Sequence, residues 1–208
     1  MNILKRGAEA LLTLEEKDGR PAVLKQRLAK GYRQPELDQR LRKLRTRNEA
    51  RMLGQARRAG LDVPAVMADD DYRIWLERIA GRTLKETLAG LGKQERLSAY
   101  GFMASAVAKL HAVGIVHGDL TTSNMILAGG KLWLLDFGLA KSSRKAEDQA
   151  TDLYLLLEAV RASHHSLYAE AAPRLLNAYR DNYEQANAVI NRLAEIEKRR
   201  RYKAKADA

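Results

Sequence analysis

A chain of 208 residues is long enough for one domain, or for two small lobes that share a cleft. Apolar residues make up 46% and charged residues 30%, which supports a real core and excludes global disorder. There is no cysteine, so disulfides, thiol nucleophiles and Cys-ligated zinc are excluded. No apolar run approaches the roughly 20 residues that span a bilayer, and the first six residues lack the apolar stretch of a signal peptide. A cytoplasmic protein with no membrane partner is the expectation.

The net charge of +11 is unevenly placed. Residues 20–58 hold thirteen Lys and Arg against three acids, a balance of +10, and residues 192–205 add a further +5. The rest of the chain is therefore net acidic, at −4. Two basic blocks suit a polyanionic partner such as nucleic acid. A solvated helix face with a frayed basic tail accounts for them equally well.

In chain order, the first thirty residues read as strands. Residues 8–14 are apolar-rich, Lys17-Asp18-Gly19-Arg20 is a turn, and residues 21–25 resume an extended run. Period two puts Val23 and Lys25 on one face, with Ala22 and Leu24 on the other. After a loop at residues 31–35, a long helix is predicted over residues 36–59, with Leu37, Leu41, Leu44 and Asn48 at helical spacing. Gly60 ends it. Residues 72–77 predict a strand leading to Gly81, a natural lobe boundary. Beyond it the pattern is mostly helical. Leu97, Gly101, Ala104, Ala108 and His111 form one stripe closed by Gly114, and helices follow over residues 147–163 and through Tyr183 and Ile196. The exception lies at residues 125–135. There Met125-Ile126-Leu127 and Leu132-Trp133-Leu134-Leu135 flank Ala128-Gly129-Gly130-Lys131, a β-hairpin signal.

This hairpin carries the functional reading. Asn124 and Asp136 lie six residues on either side of Gly130, so antiparallel pairing brings them together at its open end. Asp119 lies five residues before Asn124, in the loop His117-Gly118-Asp119-Leu120-Thr121-Thr122-Ser123. Two carboxylates and an amide oxygen at one edge suit Mg²⁺, which binds through one or two carboxylates plus substrate phosphates. Ordinary turn and cap roles would explain each residue separately, but not their joint placement.

His117-x-Asp119-x₄-Asn124 followed by Asp136-Phe137-Gly138 resembles the catalytic loop and metal-binding motif of protein kinases. The resemblance implies ATP and Mg²⁺ as cofactors. It implies that Asp119 accepts or orients the attacking hydroxyl, that Asn124 and Asp136 hold Mg²⁺, and that His117 supports the loop from the core. Ala22-Val23-Leu24-Lys25 resembles the kinase strand whose lysine contacts the α- and β-phosphates, with Val23 facing the adenine and Glu49 pairing with Lys25. Arg6-Gly7-Ala8-Glu9-Ala10 would cover the nucleotide, although it has one glycine where ordinary kinases have three. Backbone groups near Glu77 and Ile79 would bind the adenine edge. The implied architecture is α+β and bilobal. Residues 1–77 would form a small β-rich N-lobe with one long helix, residues 78–190 a reduced, mostly helical C-lobe, and residues 191–208 a basic tail.

Departures narrow the resemblance. Gly118 replaces the arginine that normally precedes the catalytic aspartate, no Ala-Pro-Glu motif follows, and only some nine residues separate Asp136-Phe137-Gly138 from the next helix. With these departures the chain resembles the small atypical kinase of the KEOPS complex, the PRPK family. The matching stretches are Gly7-Ala8-Glu9-Ala10, Arg45-Thr46-x-x-Glu49-Ala50-Arg51, His117 to Asn124, Asp136-Phe137-Gly138-Leu139-Ala140 and Glu147-Asp148-x-Ala150-x-Asp152-Leu153-Tyr154. The resemblance implies serine autophosphorylation or ATPase activity. Its implied partners are the threonylcarbamoyl-transferase subunit and other KEOPS subunits, with tRNA met through residues 20–58 and the tail. Members often end in Arg-Gly-Arg, where this chain has Arg199-Arg200-Arg201. Competing readings are a small-molecule phosphotransferase of the aminoglycoside or choline kinase type, which also uses His-Gly-Asp-x₄-Asn, and a non-catalytic RNA-binding scaffold. RIO-type kinases share the short segment but differ in their loop residues.

Overall fold

A computed structural model describes residues 2–7 and 9–206. Strands β1 (Asn2–Arg6), β2 (Ala10–Lys17) and β3 (Arg20–Arg27) form a meander, and β4 (Val66–Asp69) and β5 (Arg73–Glu77) complete one antiparallel sheet in the order β1-β2-β3-β5-β4. The β2–β3 turn is the expected Asp18-Gly19. Both residues adopt positive φ (51° and 72°), which is what a two-residue turn between right-twisted strands requires.

Helix α1 (Pro35–Arg58) packs on this sheet. It starts on a proline, carries Glu36 and Asp38 in its first turn and Arg57 and Arg58 in its last, and stops before Gly60 at φ 79°. Its inner face departs from the expected leucine stripe. Leu37 and Leu44 are 48% and 62% exposed, whereas Asp38, Thr46, Glu49, Met52, Leu53 and Ala56 are buried. The first half of the helix faces cations rather than a core. Asp38 holds Arg42 at 2.7 Å and Arg33 at 3.5 Å, and Glu49 holds two cations of β3. Polar residues therefore take the inner face, Leu37 and Leu44 turn outward, and Leu41 is half-buried. Only Met52, Leu53 and Ala56 join the apolar core with Leu61, Val63 and Ile74.

The chain leaves the sheet past Gly81, where an added Cβ would lie 2.8 Å from Ile126 Cγ2. A short helix α2 (Leu84–Thr87) leads into α3 (Lys93–Ala112). Ala104, Ala108 and His111 of the expected stripe are buried, and Leu97 and Gly101 are half-buried. Strand β6 (Ile115–Val116) precedes the loop that holds His117 and Asp119. The hairpin of β7 (Met125–Ala128) and β8 (Lys131–Leu134) turns on Gly129-Gly130, both at positive φ. Its register is centred between the two glycines, not on Gly130. Met125 faces Leu134, the Leu135 N–H donates to the Asn124 carbonyl at 2.9 Å, and Asp136 lies one residue further out. A two-residue turn makes this offset unavoidable. Strand β9 (Lys141–Ser142) pairs with β6, and α4 (Ala146–Ser163), α5 (Tyr168–Asn182) and α6 (Ala186–Ala206) close the helical lobe. The boundary expected between residues 190 and 191 falls inside α6.

One buried side chain fixes the functional loop to this lobe. Asp152 of α4 has no solvent exposure. Its two oxygens accept the backbone N–H groups of His117 at 2.6 Å and Gly118 at 2.7 Å. His111 Nε2 lies 3.4 Å from the same carboxylate, and its Nδ1 meets the Tyr179 hydroxyl at 2.8 Å. Asp152→Ala leaves two buried N–H groups without acceptors, so we expect a loss of roughly 2–5 kcal/mol. Asp152→Asn keeps one acceptor oxygen and should lose less, an order that thermal unfolding of the two variants will check.

Candidate active site

Period two along β3 sends Lys25 and Arg27 to the same face, toward α1. Lys25 Nζ donates to Glu49 Oε1 at 2.7 Å and to Asp136 Oδ1 at 2.6 Å, so three of the expected site residues meet at one ammonium. Lys25 and Glu49 are buried, while the Asp136 side chain is 46% exposed. Burial disfavours the Lys25 ammonium, but the Glu49 and Asp136 carboxylates outweigh it and hold the group above its ordinary pKa. Burial likewise opposes ionisation of Asp136. Lys25 and the Gly138 N–H overcome it and hold the carboxyl below its ordinary range. Asp136 also sits at φ 57°, a left-handed conformation rare outside glycine and of the kind that collects at functional sites.

The second half of the site is the loop after β6. Asn124 Nδ2 donates at 2.9 Å both to the Asp119 carbonyl and to Asp119 Oδ2. The amide nitrogen is thereby committed to Asp119, which turns the Asn124 oxygen into the available ligand atom. His117 is buried. Its Nε2–H donates to the Leu135 carbonyl at 2.9 Å, its Nδ1 accepts the Asp119 N–H at 3.3 Å, and its ring packs against Phe137 at 4.8 Å. The expected supporting role fits these contacts: one imidazole braces both the loop and the end of the hairpin.

Between the halves lies a cleft of about 340 Å³ lined by Gly7, Glu9, Ala10, Lys25, Asp119 and Asp136, together with Lys5, Leu12, Arg27, Arg45, Gly138 and Leu139. Arg6, Val23, Glu77 and Ile79 stand outside that lining, and Ala8 lies outside the described residues. Gly7 N–H donates to the Ala10 carbonyl at 2.9 Å, so the expected nucleotide-covering loop is a tight turn between β1 and β2. Glu9 on that turn is ion-paired with Arg45 of α1. Val23 is held in the ladder opposite Leu14 and Leu76. Glu77 faces β4: its N–H donates to the Ala65 carbonyl at 2.8 Å, and its carboxylate accepts the Ala65 N–H at 3.0 Å.

Arg27, Arg45, Lys5 and Asp152 are absent from the expected set. Arg27 was legible as the next same-face residue after Lys25, and Arg45 as the position one turn before Glu49. Among the described residues no cluster of three or more His, Cys, Asp or Glu could hold a metal ion unaided. The donor set of one half-exposed carboxylate and one amide oxygen therefore fits Mg²⁺ that takes its remaining ligands from phosphates and water.

The RIO-domain family model matches residues 22–154. KEOPS complex subunit Bud32 of Pyrococcus abyssi is 39% identical over 98% of this chain and 97% of its own length. The chain belongs to the RIO-domain family, as a relative of Bud32. Probable bifunctional tRNA threonylcarbamoyladenosine biosynthesis proteins of Methanosarcina mazei and Methanospirillum hungatei are 36% and 41% identical over 96% and 95% of the chain. The chain spans about a third of their length, 35% and 36%. Among solved structures, WaaP in complex with acyl carrier protein aligns with a TM-score of 0.67 at 15% identity, covering 95% of this chain and 88% of that one. The Rio2 kinase–ADP/Mg²⁺–phosphoaspartate complex from Chaetomium thermophilum aligns at 0.66 and 14%, covering 95% and 72%. Both show the protein-kinase-like fold. The RIO-type reading and the KEOPS-kinase reading, set apart above on loop residues, thus both apply to this RIO domain. Among the described residues no helix is long and apolar enough to cross a membrane.

The geometry also explains Gly118, where ordinary kinases carry arginine. Gly118 has φ 79°, and an added Cβ would lie 2.7 Å from the Leu139 carbonyl oxygen. Gly130 has a similar φ of 71° with nothing within 4 Å of its Cβ position. Gly130→Ala thus isolates the backbone strain, and Gly118→Ala adds the collision. We expect Gly118→Ala to lose roughly 1–3 kcal/mol and Gly130→Ala clearly less, as measured by chemical denaturation.

Proposed function

We propose that this chain is an Mg²⁺-ATP-dependent phosphotransferase or ATPase that works within KEOPS to support threonylcarbamoyladenosine modification of tRNA. The observation that carries the reading is the convergence of Lys25, Glu49 and Asp136 across from the Asp119–Asn124 pair. In this reading Asp136 and the Asn124 oxygen hold Mg²⁺, which supplies charge neutralisation on the phosphates. Lys25 exchanges its bond to Asp136 for phosphate oxygens, and Glu49 keeps the ammonium within reach. Asp119, oriented by the Asn124 amide, takes the proton of the attacking hydroxyl or water. The turn at Gly7, Glu9 and Ala10 covers the phosphates, while Val23 and the backbone near Glu77 and Ile79 serve the adenine.

The segment after Gly138 favours hydrolysis or a small acceptor over a peptide. Lys141–Ser142 pairs directly with β6, the Ser143 N–H donates to the Gly114 carbonyl at 2.9 Å, and Asn48 of α1 donates to the Ala140 carbonyl at 2.7 Å. Little of it is free to form a docking platform. Serine autophosphorylation remains part of the reading, with Ser142 the exposed candidate, since the Ser143 hydroxyl already donates to Asp148 at 2.6 Å. The name of the Pyrococcus abyssi relative supports other KEOPS subunits as partners, and in this reading the threonylcarbamoyl-transferase subunit is one of them. For tRNA, the basic stripe on α1 is less free than its charge suggests. Lys43 and Arg47 share Asp71, and Arg51 donates to Asn48.

Two substitutions separate chemistry from binding. Asp119→Asn should lower ATP turnover by roughly 10²–10⁴-fold while the affinity for Mg²⁺-ATP changes little. Asp136→Ala should instead weaken Mg²⁺-nucleotide binding itself, by about tenfold or more. Turnover is to be measured with and without the transferase partner and tRNA, and affinity by calorimetry. Wild-type turnover in both variants would refute the reading.

A further inference from the structure

Glu49 lies between two cations that are not equally committed to it. Its Oε1 accepts from Lys25 at 2.7 Å and its Oε2 from Arg27 Nη2 at 2.5 Å, and the carboxylate has no solvent exposure. Lys25 divides its charge, since the same ammonium donates to Asp136 Oδ1 at 2.6 Å. In the proposed reaction it serves Glu49 and the nucleotide phosphates, and is divided again. Arg27 is 5% exposed, and among the described residues Glu49 is the one acid paired with it. The guanidinium even has a donor to spare beside Nη2, its buried Nε without a partner. The backbone of Arg27 is tied as well. Its N–H donates to the Tyr72 carbonyl at 2.9 Å, and its carbonyl accepts from Arg42 Nη1 at 3.5 Å. Arg42 and Glu49 lie two turns apart on one side of α1. One residue of the sheet thus meets the helix at two points, and neither contact involves Lys25.

In a protein-kinase-like site the strand lysine and the helix glutamate must be paired for catalysis, and control of the helix position is a common means of switching such a site. We propose that Arg27 is a positioning residue that holds Glu49, and with it α1, in the paired position independently of Lys25. A carboxylate with no exposure needs a cation throughout, and Arg27 supplies one that neither the metal ligand nor the nucleotide shares. Glu49 then steadies Lys25 from a support that does not itself depend on Lys25. The pair stands ready before nucleotide arrives, so α1 is not the element through which a partner or a modification switches this site. The inference rests on the nucleotide reading of the cleft for what the positioning serves. Arg27 acts through Glu49 and not on the phosphates.

The test follows hydrogen exchange of the α1 amides around Glu49 in the wild type, Lys25→Met, Arg27→Met and Arg27→Lys, with Mg²⁺-ADP affinity measured by calorimetry. Protection is read relative to α3, which removes any effect of overall stability. In the wild type it should be the same with and without Mg²⁺-ADP. Lys25→Met should weaken nucleotide binding and leave the protection of α1 unchanged. Arg27→Met should lower that protection by roughly tenfold or more in the nucleotide-free protein. Mg²⁺-ADP should then restore it, at a similar loss of affinity, because binding now has to bring α1 into place. Arg27→Lys keeps the charge without the planar fork and should lose less. Wild-type protection of α1 in Arg27→Met overturns the proposal, and a loss of affinity without it would mean that Arg27 touches phosphate itself. A loss in Lys25→Met as large as that in Arg27→Met also overturns it, because Lys25 would then be the support. So does a loss in Arg27→Met spread evenly over both lobes and not restored by Mg²⁺-ADP, the mark of a merely structural pair. If Arg27→Met does not fold, the comparison is made with Arg27→Lys, whose α1 should be less protected than that of Lys25→Met. If the wild type takes no Mg²⁺-ADP, the functional reading falls, and the nucleotide-free comparison still decides the role of Arg27.

Discussion

A carboxylate sealed from water must be answered by cations within hydrogen-bonding distance, and Glu49 imposes that demand on the whole N-lobe. It is met from β3, by Lys25 and Arg27, and that fixes how α1 lies on the sheet. The consequence runs along the helix. Up to Glu49 the helix presents Asp38, Thr46 and Glu49 inward, and Leu37 and Leu44 are turned to solvent. Net stability from such pairing is small once desolvation is counted, so its structural value lies in placing Lys25 where the cleft needs it. Apolar packing of the helix begins with Ala50, Met52 and Leu53, directly beyond the charges.

The C-lobe solves the complementary problem of holding a loop rigid without regular structure. Asp152 acts as a backbone acceptor from below, and His117 bridges loop and hairpin from within. Phe137, with no exposure, anchors the far side through the imidazole. Asp136 is then left at the rim between half-buried Leu135 and buried Phe137, which accounts for a strained φ at a non-glycine residue. The surrounding contacts over-determine its position. One lobe thus supplies the bonded pair Asp119 and Asn124, and the other a buried lysine held by two carboxylates.

Local chemistry was readable where a short-range rule decides the outcome. Asp18-Gly19 and Gly129-Gly130 each force a two-residue turn, and folding brings Lys25 to Glu49 and Asp136, and Asn124 to Asp119. What stayed hidden depended on distant partners. The leucine spacing of α1 obeys helical period, yet period cannot say which face will meet cations rather than a core. Strand β4, with only half-buried and exposed residues, gives no alternation to detect. The hairpin register slipped by one because the mirror axis of a two-residue turn lies between residues. Arg27 shares the face of Lys25 by period two, but only the packing of α1 on the sheet gives it Glu49 as a partner.

Composition also overstated the free positive field. Much of the basic block in α1 is answered by Glu9, Asp38, Asp71 and Glu77, and the tail is answered by α4. There Glu147 receives Arg192 and Arg199 of α6, so the C-terminal basic run continues a docked helix. One residue later Asp148 takes the Ser143 hydroxyl and the Lys141 ammonium, and one turn beyond that Asp152 takes the loop at His117 and Gly118. Spacing of one and four residues sets these three acids along a single helix, each facing a different element. Tail, post-Gly138 segment and the loop at His117 and Gly118 therefore all contact one helix.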